Sequence, residues 1–114
     1  MALSEFEQKR IAKLCSDFGN KKVPAPLRDR IRIDFRIKGN EVMLYESRPN
    51  YLEQTSWYSA PIAKFEKIPS TESWQLYFAD RNHKWHKYPH CPPNRDIGKL
   101  LAEVEKDPNG IFWG

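Results

Sequence analysis

Arg30, Arg32, Arg36 and Lys38 recur at every second position apart from the middle place, which Asp34 takes. A period of two puts all five side chains on one side of a strand, and guanidinium forks on such a face can grip phosphate oxygens. Gly39-Asn40 reads as a two-residue hairpin turn, with Glu41 to Arg48 returning as the partner strand. Met43, Tyr45 and Ser47 then share the cationic face, and an aromatic ring among arginines can stack on a nucleobase. Arg30, Arg32, Arg36, Lys38 and Tyr45 are therefore candidate contacts for nucleic acid or another polyanion. The competing reading is a solvated strand face, kept soluble by cross-strand pairs such as Lys38 with Glu41. The chain has neither an RNP nor a KH signature.

The opposite side of the same hairpin raises a second possibility. With Gly39 and Asn40 in the turn, Phe35 faces Leu44, Ile33 faces Glu46 and Ile31 faces Arg48. Glu46 and Arg48 thus fall on the apolar face, where charges must pair, reach a rim or serve a ligand. Lys64, on the next strand, is a further member of that group. A second basic and aromatic strand, Lys84-Trp85-His86-Lys87-Tyr88, would add Lys84, His86 and Tyr88 to one polar groove if the strands are neighbours.

Two enzymatic arrangements can be weighed against these. Asp34 followed by Glu46-Ser47-Arg48 resembles a metal-dependent nuclease motif, in which two carboxylates hold a divalent cation. Asp34, however, opposes Tyr45 and so faces away from Glu46, and arginine cannot give up a proton as lysine can. His83, His86, His90 and Cys91 invite a zinc reading, but their spacing matches no zinc knuckle. No serine sits in a nucleophile elbow. The sequence therefore assigns no catalytic residue, no metal and no cofactor.

The elements that must position these residues follow from the rest of the chain. Its 114 residues, 39% hydrophobic and 13% aromatic, allow one ring-rich core and predict a single domain over 1–114. The net charge is +4, unevenly spread: residues 21–38 hold seven cations against Asp29 and Asp34, a local +5. Residues 96–107 carry −2, from Lys99 and Lys106 against four acids. Charges from Glu5 onward leave no signal-peptide pattern, no apolar run has the length of a membrane span, and the two cysteines read as reduced thiols. A cytoplasmic protein with no membrane partner is expected.

Ser4-Glu5-Phe6-Glu7 is a capping-box pattern, opening a helix whose apolar side holds Leu3, Phe6, Ile11, Leu14 and Phe18, with Cys15 at its edge. Gly19-Asn20 should end it, and Lys21 to Pro26 should form an extended connector. After the hairpin, Pro49 to Ala60 reads as a polar, aromatic loop, and Pro61 to Ile68 as a third strand. Trp74 to Ala79 and Lys84 to Tyr88 make a fourth and a fifth, with Trp85 joining Trp74 and Phe78 in the core and His86 and Tyr88 facing outward. Asn94 or Asp96 caps a last helix with Ile97, Leu100, Leu101 and Val104 on one face, stopped by Asp107-Pro108-Asn109-Gly110. The expected fold is α+β: a helix, an antiparallel meander of about five strands, and a second helix packed on one face of the sheet.

Several of these segments, taken together, resemble a small bacterial family, domain of unknown function 3024. They are the proline-containing connector, Tyr45-Glu46-Ser47-Arg48-Pro49, Pro61-Ile62-Ala63-Lys64, Lys84-Trp85-His86-Lys87-Tyr88, and Asp107-Pro108-Asn109-Gly110 with the aromatic tail. The resemblance runs through nearly the whole chain, supports one domain, and implies nothing about chemistry. The functional expectation is a non-enzymatic module binding nucleic acid or another polyanion. Its alternatives are a protein-interaction domain, using the loop Tyr51 to Tyr58 and the tail at Phe112 and Trp113, and a metal-dependent hydrolase built on Glu46.

Overall fold

The computed structural model describes residues 3–50, 52 and 56–112. Its elements are α1 (Glu5–Lys22), a 3-10 turn (Ala25–Leu27), β1 (Arg32–Lys38), β2 (Glu41–Pro49), β3 (Trp57–Ile68), β4 (Ser73–Ala79), β5 (Trp85–Lys87) and α2 (Ile97–Lys106). The five strands form one antiparallel sheet in the order β1-β2-β3-β4-β5, the α+β meander that the patterning implies. Tyr51 and Gln54 of the expected interaction loop, and Trp113 of the tail, lie outside the described residues.

Ser4 caps α1: its hydroxyl accepts the Glu7 N–H at 3.1 Å. Ile11, Cys15 and Phe18 are buried, whereas Phe6, expected beside them, is 78% exposed. It precedes Ile11 by five residues, which at about 100° per residue turns it roughly 140° from the buried stripe. Nor does Gly19 end the helix. It lies against β1, where an added Cβ would meet the Cβ and carbonyl oxygen of Ile33 at 3.3 Å. This glycine allows close packing, and α1 continues to Lys22. The connector expected to be extended is so only at Val23 and Pro24, between the last helical turn and the 3-10 turn. That turn captures Arg30, whose N–H bonds Leu27 O at 2.9 Å. Arg30 is therefore not on the strand, and β1 begins at Arg32.

The hairpin has the expected register, Lys38 opposite Glu41, Phe35 opposite Leu44, Ile33 opposite Glu46, with Gly39 at a left-handed φ of 60°. β3 starts at Trp57, so the last third of the expected loop is strand. It also carries a bulge. Leu44 pairs with Ala63 and Tyr45 with Pro61, leaving Ile62 as the extra residue, and Ile62 and Ala63 are both buried.

The helices cover the sheet face that bears Phe35, Val42, Leu44, Phe65 and Leu76, and join them in one hydrophobic core. Ile97, Leu100, Leu101 and Val104 of α2 are all buried there, as their spacing requires, and Asp96 caps the helix by accepting the Gly98 N–H at 2.9 Å. Asp107, left-handed at φ 42°, accepts the N–H groups of Ile111 and Phe112 and turns the tail back. Phe112 then packs on Tyr88, ring centroids 5.1 Å apart.

Tyr88 corrects a second expectation. It does not face outward: it is 2% exposed, its hydroxyl donates to Glu103 at 2.9 Å and accepts from Asn109 at 3.1 Å. Burial, reinforced by the bonded Glu103 carboxylate, pushes the phenol pKa up. Trp85, expected in the core, is half-buried and pairs with Ala79 on the other side of the sheet. The two faces of β5 are thus the reverse of the expectation. Far from it in sequence, Glu7 of α1 pairs with Lys67 of β3. The hydrogen bond from Lys67, above all, holds the Glu7 carboxyl below the usual glutamate range, against a smaller opposing effect of burial.

Tyr88→Phe should lower stability by about 1 kcal/mol, a fall of about 5 °C in Tm, measured by thermal denaturation. Glu7→Gln should show its deficit by pH. Because the folded-state pKa is depressed, the pair stabilises the wild type fully above about pH 5 and loses its effect as pH falls through the folded value. Urea midpoints of the two proteins should therefore differ at pH 7 and converge in acid.

Candidate functional site

Neither helix covers the second face of the sheet, and its residues form rows across the strands. In one row Arg36 stands opposite Met43, Met43 opposite Lys64, Lys64 opposite Tyr77 and Tyr77 opposite Lys87. In the next, toward the β1–β2 turn, lie Lys38, Glu41, Glu66 and Gln75. On the other side, Asp34 stands opposite Tyr45 and Arg32 opposite Ser47. The face is hollowed. A depression of about 790 Å³ is lined by Arg36, Lys38, Glu41, Met43, Tyr45, Lys64 and Trp85, so residues of the edge strands β1 and β5 border one concavity.

Each of the carboxylates on this face among the described residues, Asp34, Glu41 and Glu66, has a bonding partner within the sheet. Glu41 pairs with Lys64 at 3.0 Å, Glu66 accepts the Tyr77 hydroxyl at 2.9 Å, and Asp34 accepts the Ser47 hydroxyl at 2.7 Å, which also shares a 2.7 Å bond with Ser59. Lys38 therefore does not take Glu41, as the solvated-face reading expected. Among the described residues, Arg32, Arg36, Lys38 and Lys87 have no ion-pair partner. Two of these cations rest on rings instead: Arg32 lies 4.1 Å from the Trp57 centroid and Arg36 5.2 Å from that of Tyr45.

Lys64 is different. Its side chain is only 14% exposed, with the ammonium 4.5 Å from the Tyr77 centroid and 5.6 Å from that of Trp85. Burial, then the bond to Glu66 and the nearby charges of Glu66 and Glu41, raises the Tyr77 pKa to about 12, so the phenol stays protonated. Lys64 ties the middle of the face together, while Arg36, Lys38 and Lys87 stand around it open to solvent.

The proposed polar groove is not assembled. Glu46 and Arg48 pair with each other at 2.8 Å on the helix side of the hairpin, and Lys64 lies on the opposite face. Lys84 sits in the exposed turn before β5, and Tyr88 is in the core. His86 stacks on Phe78 at 5.4 Å and bonds Asp80 at 2.7 Å. That bond, with two backbone N–H groups, lowers the Asp80 pKa to about 2. β3 and β4 separate the two halves of the groove, which the sequence could not place. Asp34 and Glu46 point to opposite faces, so the nuclease pairing is not formed either. Among the described residues no group of three or more His, Cys, Asp or Glu side chains converges as metal ligands would.

Tyr77, Trp85 and Lys87 join the basic face beyond the residues named from spacing. The sequence carries a signal for Tyr77, since Trp74, Leu76 and Phe78 occupy the alternate positions of β4. It carries none for Trp85, because β5 offers an aromatic residue on either parity.

Residues 3–114 match the family model described as Domain of unknown function (DUF3024), and the chain belongs to that family. Neither a curated protein nor a solved structure matches it.

Acetylation under limiting reagent, followed by mass spectrometry, tests the geometry of this face. Lys38 and Lys87 should be modified well before Lys64, and Glu41→Gln, which removes its partner, should speed modification of Lys64.

Proposed function

We propose that this member of the family is a non-enzymatic, cytoplasmic binding module whose open sheet face takes a polyanion, nucleic acid first among them. The supporting observation is the division of charges on that face: its carboxylates are bonded inside the sheet, leaving Arg32, Arg36 and Lys38 without an ion-pair partner among the described residues. Phosphate oxygens would supply what these side chains lack. The concavity also places rings beside the cations, a combination that suits a ligand with both charge and flat apolar groups. Arg30, in the turn before β1, extends the positive edge without belonging to the face.

Two free thiols support the cytoplasmic reading, and Cys15, buried with a pKa raised to about 12, serves as a small apolar side chain. No helix among the described residues is long and apolar enough to cross a membrane. A protein partner is the second reading, favoured by Leu52 at 88% and Tyr58 at 53% exposure. Phe112 adds little to it, being buried against Tyr88.

Fluorescence anisotropy with labelled oligo(dT) across a salt series tests the first reading. Binding should weaken steeply as salt rises, and Arg36→Ala with Lys38→Ala should flatten the log–log slope by about 1.4, at about 0.7 per lost phosphate contact. Failure of the wild type to bind oligo(dT) or heparin at low salt would overturn it. Loss of a pulled-down protein on Tyr58→Ala, with the salt slope of oligo(dT) binding unchanged by the double substitution, would favour the second.

A further inference from the structure

We infer that the ligand of this face is single-stranded nucleic acid, lying across the strands from β1 to β5 with bases against Tyr45 and Trp85; the inference rests on the polyanion reading above. Cations alone would serve any phosphate chain, but here they stand with rings. Tyr45 and Trp85 line the same depression as Arg36 and Lys38, on the face that carries no core. The open rim of β5 adds Lys87 in the same cross-strand row as Arg36. Four inter-strand steps of about 4.8 Å separate β1 from β5, a span of about 19 Å, and OB-fold barrels, which also stack bases on aromatic rings in a basic groove, hold about 4–16 nucleotides.

A duplex suits this geometry poorly. Its bases are stacked inside, so rings recessed in a concavity would meet only sugar and phosphate, and recognition of unpaired bases is where aromatic platforms gain their affinity. Trp85 also covers the Lys64 ammonium, and its role in the fold must be separated from a role in binding. Trp85→Phe, which keeps a flat ring, and Trp85→Ala, which does not, make that separation when their melting temperatures are compared.

The experiment compares oligo(dT), an abasic deoxyribose-phosphate oligomer of equal length and charge, and a duplex, each labelled and titrated with the full chain at fixed salt. Oligo(dT) should bind more tightly than the other two. Trp85→Ala should weaken oligo(dT) by about five- to a hundredfold while leaving the abasic oligomer nearly unchanged, and Trp85→Phe should retain most of the preference. Equal affinity for oligo(dT) and the abasic chain, or a duplex bound as tightly as the single strand, would overturn the inference and leave the polyanion reading standing. Loss of binding to the abasic chain in parallel with oligo(dT) on Trp85→Ala would assign Trp85 to the fold and likewise overturn it. No binding of any of the three would remove both.

Discussion

Two helices can cover one face of a five-stranded sheet but not two, and most of the molecule follows from that constraint. Because side chains alternate along a strand, each residue of the meander is committed either to the core beneath α1 and α2 or to a face that must be stable in water. The covered face closes with long-range polar ties as well as apolar contact: Glu7 to Lys67 joins α1 to β3, and Tyr88 joins the end of β5 to Glu103 and Asn109. The open face needs a different solution. Its rings are held by cations lying on them and its acids by hydrogen bonds, with Lys64 at the centre of both. The result is a surface whose described carboxylates are bonded internally, while Arg32, Arg36, Lys38 and Lys87 have no ion-pair partner among the described residues.

What could be read from residues alone divides by the range of the interaction. The β1–β2 hairpin was legible because strict alternation and a Gly-Asn turn act over a few residues, and its pairing from Lys38 with Glu41 back to Ile33 with Glu46 is found as expected. The apolar stripe of α2 was legible for the same reason. Gly19 misled because a glycine in a helix can serve a close approach to another element, here Ile33, and nothing local distinguishes that use from a stop. Trp57 to Ala60 misled because polar and aromatic strand residues look like loop until the partner strand β2 is in place.

The candidate site shows the same division. Arg32, Arg36, Lys38 and Tyr45 share a face as their spacing implies, since all lie on one hairpin. Glu46, Arg48, Lys64, Lys84, His86 and Tyr88 come from three strands and a turn, and whether they met depended on sheet order and on the parity of β5. Lys84-Trp85-His86-Lys87-Tyr88 has a cation and a ring on one parity and a cation with two rings on the other, so hydropathy alone does not choose. Burial of Tyr88 is decided by Glu103, Asn109 and Phe112, which lie fifteen or more residues away. The basic-aromatic strand and the helix stop Asp107-Pro108-Asn109-Gly110 thus meet at Tyr88, partly to build the core.

The proposed ligand would bind on the open face and not on the helix side. Amide and indole chemical shifts of isotope-labelled protein, followed as oligo(dT) is added, test it residue by residue. Perturbations are expected at Arg36, Lys38, Tyr45, Lys64, Tyr77 and Lys87 and at the Trp85 indole, with α1, α2 and the Glu46–Arg48 pair unmoved. Shifts confined to the helices, or to the hairpin end at Arg48 and Tyr58, would contradict it.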